Sequence, residues 1–292
     1  MKPDEVRHWP LHLFLVLMVI VAIYPILFVL TIAFSGGQTL SIADLPPDPG
    51  IADRLRAITP WPETVSLENF RSLFADQPFS RWLLNSVIVS LLTTLLGVLL
   101  ASTAAYAFSR FRFPGRRTGL MMFLVAQMFP GTLMMIPLYI IIVQWLGLGS
   151  RYMGLVLMYS VTAIPFCVWM MKGYFDTIPK ELEESALVDG CGSVGVLLRV
   201  MVHAVRPGIV TVSLFAFLAS WSEFFAPLIM LNSTDRFTLM LAVVNMRTAS
   251  FGAIDYAALE AGVTVMAVPC LVLFVLLQRS YVRGFMSGAL KG

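Results

Sequence analysis

Charge is what this sequence has least of. Asp, Glu, Lys and Arg together make up 13% of its 292 residues, about half the share of a typical soluble domain. That deficit, with 58% hydrophobic residues and a mean hydropathy of +0.83, excludes an ordinary water-soluble fold and indicates an integral membrane protein. The net charge of +3 is too small to require a nucleic-acid partner. Cysteine is nearly absent. Cys167, Cys191 and Cys270 are far apart and odd in number, which argues against a disulfide framework and leaves three thiols acting as small hydrophobes. Histidine is as rare: His8 and His12 are four apart but lack an acidic or cysteine companion, and His203 stands alone, so no metal site is expected. No G-x-x-x-x-G-K-[ST] stretch occurs, so the chain has no P-loop of its own.

Long apolar runs are what the sequence does have. A helix needs about 20 mostly apolar residues to cross the hydrocarbon core of a bilayer. Six stretches qualify: residues 11–34, 82–108, 120–143, 152–171, 208–231 and 257–278. Lys2 and Arg7 precede the first as they would a signal peptide, but its apolar run exceeds the ~7–15 residues of a signal h-region and no A-x-A site follows. It is expected to be a retained span. The turn after the second stretch holds Arg110, Arg112, Arg116 and Arg117, and the tail holds Arg279, Arg283 and Lys291. The positive-inside rule puts both on the cytoplasmic side, and with them both termini. The expected layout is a cytoplasmic N-terminus (1–10), a first span (11–34), an outer loop (35–81), a core of five spans (82–278) with a cytoplasmic loop at 172–206, and a cytoplasmic tail (279–292). Pro25, Pro130, Pro137, Pro165, Pro227 and Pro269 fall within or near the ends of these runs. Each frees backbone groups that must find partners inside protein or in a water-lined cavity.

The cytoplasmic loop is acidic where the rest is greasy. Asp176 or Thr177 can cap a helix there, Pro179 suits its first turn, and Glu181, Glu183 and Glu184 favour the positive end of its dipole. Leu182, Ser185, Ala186 and Asp189 recur at three-to-four spacing and give a narrow face of small and apolar side chains, while Gly190 allows a left-handed stop. A second amphipathic piece, residues 194–202, leads to Pro207. Such a helix fits a partner's groove, and its acidic first half would be repelled by an anionic leaflet. Gly190-Cys191-Gly192-Ser193-Val194-Gly195 satisfies G-x-G-x-x-G, but that fingerprint works only after a buried strand in a βαβ unit. Nucleotide binding here is set aside.

Polar residues inside spans are expensive and invite functional readings. Glu223 sits among Trp221, Phe224 and Phe225 in the fifth run; it either lines a translocation cavity or is a structural acid. Gln127, beside Pro130 and Gly131, has a similar claim on a cavity. Asn85 and Ser86 read as helix-packing glue.

Residues 184–190 and the stretch to Pro207 resemble the EAA loop of bacterial ABC-importer permeases, E-A-A-x-x-x-G followed by I-x-L-P. Residues 105–116, the Asn85-Ser86 pair and the tail 284–292 are similar to the MalG-type subunit of carbohydrate importers. Ser185, Cys191 and His203 depart from the pattern, the last standing where a proline is usual. The resemblance implies an all-α fold of six transmembrane helices, the MetI-like type I importer permease, with Glu184, Ser185, Ala186, Asp189 and Gly190 in a coupling helix seated on an ATPase. It implies a non-catalytic subunit in the bacterial cytoplasmic membrane that imports a sugar such as maltose, maltodextrin or trehalose. Its partners would be a homologous MalF-like permease, two ABC ATPase subunits that bind the ATP and Mg, an extracytoplasmic sugar-binding protein received through Phe70, Phe74 and Trp82, and the lipid bilayer. No cofactor is implied in this chain. An ABC permease for another solute is an alternative, as is an ion-coupled secondary transporter, for which Glu223 is a lone candidate site. A membrane-embedded enzyme would need a cluster of His, Asp or Cys that the sequence does not offer.

Overall fold

Apolar length determines helix length in this chain. A computed structural model describes residues 9–36, 49–58, 64–248 and 256–289; His8 and residues 290–292 of the tail lie outside them. The described residues are helical apart from irregular turns and one isolated antiparallel bridge, Ser35 with Val65. The chain divides into two compact units, Met1–Ser80 with Ala242–Val268, and Arg81–Leu241 with Pro269–Gly292.

In the first unit, α1 (Trp9–Ala33) is 25 residues long, about 37 Å at 1.5 Å per residue. Its apolar window is entirely unburied within this chain; a helix hydrophobic all round needs lipid or another subunit about it. Its last carbonyls are collected by one side chain. Asn69, buried on α3 (Glu68–Asp76), donates through Nδ2 to Ile32 O at 3.3 Å, Ala33 O at 3.1 Å and Ser35 O at 2.8 Å. A short amphipathic helix, α2 (Ile51–Ile58), precedes α3.

The second unit contains most of α4 (Phe79–Arg110), then α5 (Arg116–Met128), α6 (Gly131–Trp145, its last turn and a half π-helical) and α7 (Tyr152–Asp176). After these come α8 (Glu181–Val188), α9 (Ser193–Ala204, π-helical over Val196–Met201), α10 (Arg206–Trp221) and α11 (Phe225–Met230). The chain ends in α12 (Leu239–Thr248) and α13 (Tyr256–Ala289). Two apolar cores form in this unit. One joins α4, α7, α8, α9 and α10 through Ala105, Phe175, Ala186, Met201 and Ala216. The other is built around Leu138, Leu155, Tyr159 and Met230.

Among the described residues, four helices, α1, α4, α7 and Tyr256–Gln278 of α13, are long and apolar enough to cross a membrane unbroken. The other two expected spans, 120–143 and 208–231, are interrupted. Pro130 forces Phe129 into extended backbone (φ −73°, ψ 133°), and α5 and α6 meet at a bend of 104°. Likewise α9 and α10 meet at 82°, and α10 stops at Trp221, three residues before α11 begins. Counting each bent pair once gives up to six spans by length and composition, the second pair covering Ser193–Ala204 with Arg206–Trp221 and so starting upstream of the expected 208–231. Some hydroxyls along the spans bond their own helix, Thr103 to Leu99 O, Ser160 to Val156 O and Ser220 to Ala216 O, which lowers their cost in an apolar setting, whereas Ser90, Thr93 and Ser102 on α4 are buried without such a bond.

Small residues let helices approach. A Cβ at Gly208 on α10 would lie 2.5–2.9 Å from the Tyr174 ring and Cβ on α7, whereas one at Gly97 on α4 would meet the Ala216 Cβ at an ordinary 3.8 Å. Gly208→Ala should therefore cost about 1–3 kcal/mol through overpacking, and Gly97→Ala should be tolerated. Thermal unfolding of the purified variants checks this; equal midpoints would remove the close approach at Gly208 from the account.

Candidate functional site

The segment between α7 and α10 is positioned from both flanks. Thr177 does not cap α8 as expected; it closes α7, its N–H and hydroxyl both donating to Tyr174 O at 3.1 and 2.8 Å. Asp176 is also engaged elsewhere: its carboxylate accepts from Ser109 Oγ at 2.6 Å and pairs with Lys172. Helix α8 instead begins from Lys180, whose carbonyl accepts the N–H groups of Glu183 and Glu184 at 2.9 and 3.0 Å. No side chain caps this end. The three glutamates of the first turn place negative charge where the helix dipole is positive.

The other end of α8 is a complete Schellman stop. Cys191 N–H donates to Ala186 O at 3.0 Å and Gly190 N–H to Leu187 O at 3.1 Å, with Gly190 at φ +86°, the conformation expected of it. A Cβ at residue 190 would touch nothing within 4 Å, so the need for glycine comes from backbone geometry alone. The G-x-G-x-x-G echo therefore starts at a helix stop, not after a strand, and leads into the three residues Ser193–Gly195 that open α9.

One part of the expected face of α8 is turned the other way. Ala186 is 7% exposed and packs into the chain's own core with Phe175, Val196 and Tyr106. Ser185, Asp189 and Gly190 remain exposed, Ser185 bonding back to Glu181 O at 2.7 Å. With 3.6 residues per turn, the positions opposite Ala186 are Glu181, Glu184 and Val188, all exposed, Val188 at 87%. The outward face is thus acidic with an apolar centre.

What fixes α8 was not visible in the sequence. Arg110, at the end of α4, forms an ion pair with Glu183, their side chains only 8% and 12% exposed. Arg110 Nη2 also donates to Ile178 O at 2.8 Å, and Tyr106 Oη donates to the second Glu183 oxygen at 3.3 Å. Sequence alone marks Arg110 as an orientation signal and Glu183 as a helix-start acid. Opposite charges on loops assigned to one side of the membrane were the available hint.

The residues expected to line a cavity are each engaged separately. Gln127 on α5 donates to Thr162 O on α7 at 3.1 Å. Trp221 is buried and stacks on Phe217, ring centroids 5.4 Å apart. Phe224 is half-buried against the second core. Glu223 lies in the break between α10 and α11, where one carboxylate oxygen accepts the N–H groups of Phe225 at 2.8 Å and Ala226 at 3.2 Å. A cavity of about 340 Å³ beside α10 is lined by Met170, Thr211, Phe215, Leu218, Phe274 and Gln278, and contains none of the four.

At the opposite end of α4, Trp82, Asn85 and Ser86 hold a loop. Trp82 Nε1 donates to Thr234 O at 2.8 Å, Asn85 Nδ2 to Asp235 O and Phe237 O at 3.0 Å, and Ser86 Oγ accepts from Leu239 N at 2.6 Å. Asn85 and Ser86 are glue for a loop backbone, and Trp82, 4% exposed, is not free to receive a partner. Phe74 is 44% exposed and Phe70 half-buried against Phe34.

Two outcomes follow for these contacts. Arg110→Ala strands a buried carboxylate and should cost about 3–5 kcal/mol, while the paired replacement of Arg110 and Glu183 by Met and Leu should cost much less than the sum of the single changes. A double-mutant cycle on thermal stability tests this; additive losses would mean the pair is not coupled. For Glu223, the Gln variant keeps an acceptor oxygen and should unfold like wild type, whereas the Ala variant should lose about 1 kcal/mol. A stability loss in the Gln variant equal to that in Ala would show that charge, not capping, is what counts.

Comparison with known proteins is consistent along the chain. Residues 94–285 match the family described as "Binding-protein-dependent transport system inner membrane component". The maltodextrin transport system permease protein MdxG of Bacillus subtilis (strain 168) is 30% identical over 281 residues, 96% of this chain and 95% of that protein. The trehalose transport system permease protein SugB of Mycobacterium tuberculosis (strain CDC 1551 / Oshkosh) is 32% identical over 231 residues, 79% of this chain and 84% of that protein. In fold, the chain is similar to a chain in the crystal structure of a bacterial ABC transporter involved in import of the acidic polysaccharide alginate, with a TM-score of 0.80 at 17% identity, covering 96% and 98% of the two chains. The helical spans, their broken members and these relatives together establish that the chain belongs to the family of inner-membrane permease components of binding-protein-dependent ABC transport systems.

Proposed function

We propose that this chain is the MalG-type half of the translocation pathway of an ATP-driven sugar importer, with maltose, maltodextrin or trehalose as the leading substrates. The names of the maltodextrin and trehalose permeases support the sugar class. In this reading the chain lies in a bacterial cytoplasmic membrane with both termini inside, beside a homologous MalF-like permease. An extracytoplasmic binding protein delivers the sugar, in keeping with the family's description. ATP and Mg are bound by two partner ATPase subunits, and this chain performs no chemistry itself.

The observation that carries the reading is the construction of α8. Its outward face, Glu181, Glu184 and Val188, is exposed, while its inward side is fixed by Ala186 in the core and by Glu183 on Arg110. A helix so held can pass a load from an ATPase cleft to the span it is tied to. Closing of the ATPases would then rotate the span bundles as rigid bodies and open the pathway to alternate sides. Gln127, Trp221, Glu223 and Phe224 are proposed to act near that pathway by positioning its broken helices. Ser185, Asp189 and Gly190 belong to the docking end of α8.

The test uses the reconstituted complex with its ATPases and binding protein. Glu184→Lys reverses charge on the docking face, and Gly190→Val forces a β-branched residue into left-handed backbone. Both should insert normally yet lose sugar-stimulated ATPase activity and uptake by about 30-fold, the size of a lost interface hot spot. Gly190→Asn, which tolerates that backbone, should retain most of both. Full stimulation and uptake in Glu184→Lys and Gly190→Val would reject the docking assignment.

A further inference from the structure

The turn between α4 and α5, with α7 beside it, borders a broad, open pocket of about 590 Å³ that the coupling scheme does not use. Its walls carry Arg112, Arg116, Arg117 and Lys172, with Phe113 and Leu120 completing them. Lys172 is paired with Asp176, and Arg116 reaches Ser109 O at 3.5 Å. Arg112 and Arg117 are exposed and have no ion-pair partner among the described residues. The cavity therefore carries at least two uncompensated positive charges and asks for an anion.

Its surroundings say which kind. No residue of α5 is buried, and directly after the arginines its outer side shows Met121, Met122 and Val125, exposed by 50–66%. The indole N–H of Trp169 on α7 donates to Leu120 O at 3.1 Å, and tryptophan marks the headgroup level of a bilayer. Cations at the mouth, an interfacial tryptophan and an unburied apolar helix beyond them match a phosphate with hydrocarbon attached. A free anion would gain nothing from the last of these features.

We infer that this cavity holds the phosphate-bearing headgroup of an anionic phospholipid, whose acyl chains lie along the exposed side of α5. Basic pockets between membrane helices take anionic headgroups in this way. The inference rests on the chain's membership of a membrane family and its own geometry, and is independent of which sugar is carried. By holding a lipid against α5 and α7, the site would steady the 104° corner at Pro130 in the bilayer.

The test is native mass spectrometry of the full-length chain in its co-purified complex, with phosphatidylglycerol or phosphatidylcholine added. Wild type should retain phosphatidylglycerol in preference. At about fivefold per basic residue near an anionic headgroup, Arg112→Gln combined with Arg117→Gln should weaken that retention about 25-fold and leave phosphatidylcholine unaffected. Lys at both positions should restore it. If the double Gln variant fails to fold, Arg117→Gln alone should still lower retention about fivefold. Three results would overturn the proposal: unchanged lipid retention in the Gln variants, displacement of the bound lipid by excess inorganic phosphate, or loss of a co-purifying subunit with lipid retention intact. The second would assign the cavity to free phosphate, and the third to an acidic protein partner.

Discussion

The Arg110–Glu183 ion pair is the contact that ties the segment between α7 and α9 to the end of α4. Two charges so little exposed are costly to desolvate, and the pair is supported by two further hydrogen bonds, from Tyr106 to the carboxylate and from the guanidinium to the Ile178 carbonyl. Its directionality matters more than its energy. The arginine closes a long span and the glutamate opens a short surface helix, so the helix cannot tilt without dragging the span. Hydrophobic burial of Ala186 alone would allow α8 to slide; a planar guanidinium bonded to both a carboxylate and a carbonyl does not.

At its far end α4 is gripped as firmly. Asn85 and Ser86 hold the backbone of residues 235–239, and Trp82 holds Thr234. With 32 residues, α4 is about 48 Å long and carries polar ties near each end. The α5–α6 and α9–α10 pairs are bent where α4 and α7 run unbroken. Breaks in spans expose backbone amides, and here the freed groups are met locally: Glu223 takes two at the start of α11, and Ser150 accepts Asn232 N–H while donating to Met230 O.

Sequence reasoning reached the helical membrane class and the left-handed stop at Gly190, since each follows from local composition or local stereochemistry. It did not reach the 104° corner. Pro130 announced an interruption, but the angle depends on how α5 and α6 each find packing partners. It assigned Ala186 to the docking face because the three-to-four spacing marks a stripe and cannot say which way the stripe looks. It left Glu223 between two roles; the carboxylate's hydrogen bonds to Phe225 and Ala226 show the capping role directly. The ion pair stayed hidden because it joins residues 73 apart in sequence, and nothing local distinguishes a paired arginine from one that marks topology.

The stop at Gly190 has a consequence for how the surface loop can vary. Within the described chain a Cβ at that position would touch nothing within 4 Å. The requirement is one of handedness, not of volume: the backbone at φ +86° lies where an L-residue is strained and its mirror image would rest at ease. The end of the helix is thus shaped by the chirality of the amino acids themselves, and achiral glycine is the one genetically encoded residue that escapes it.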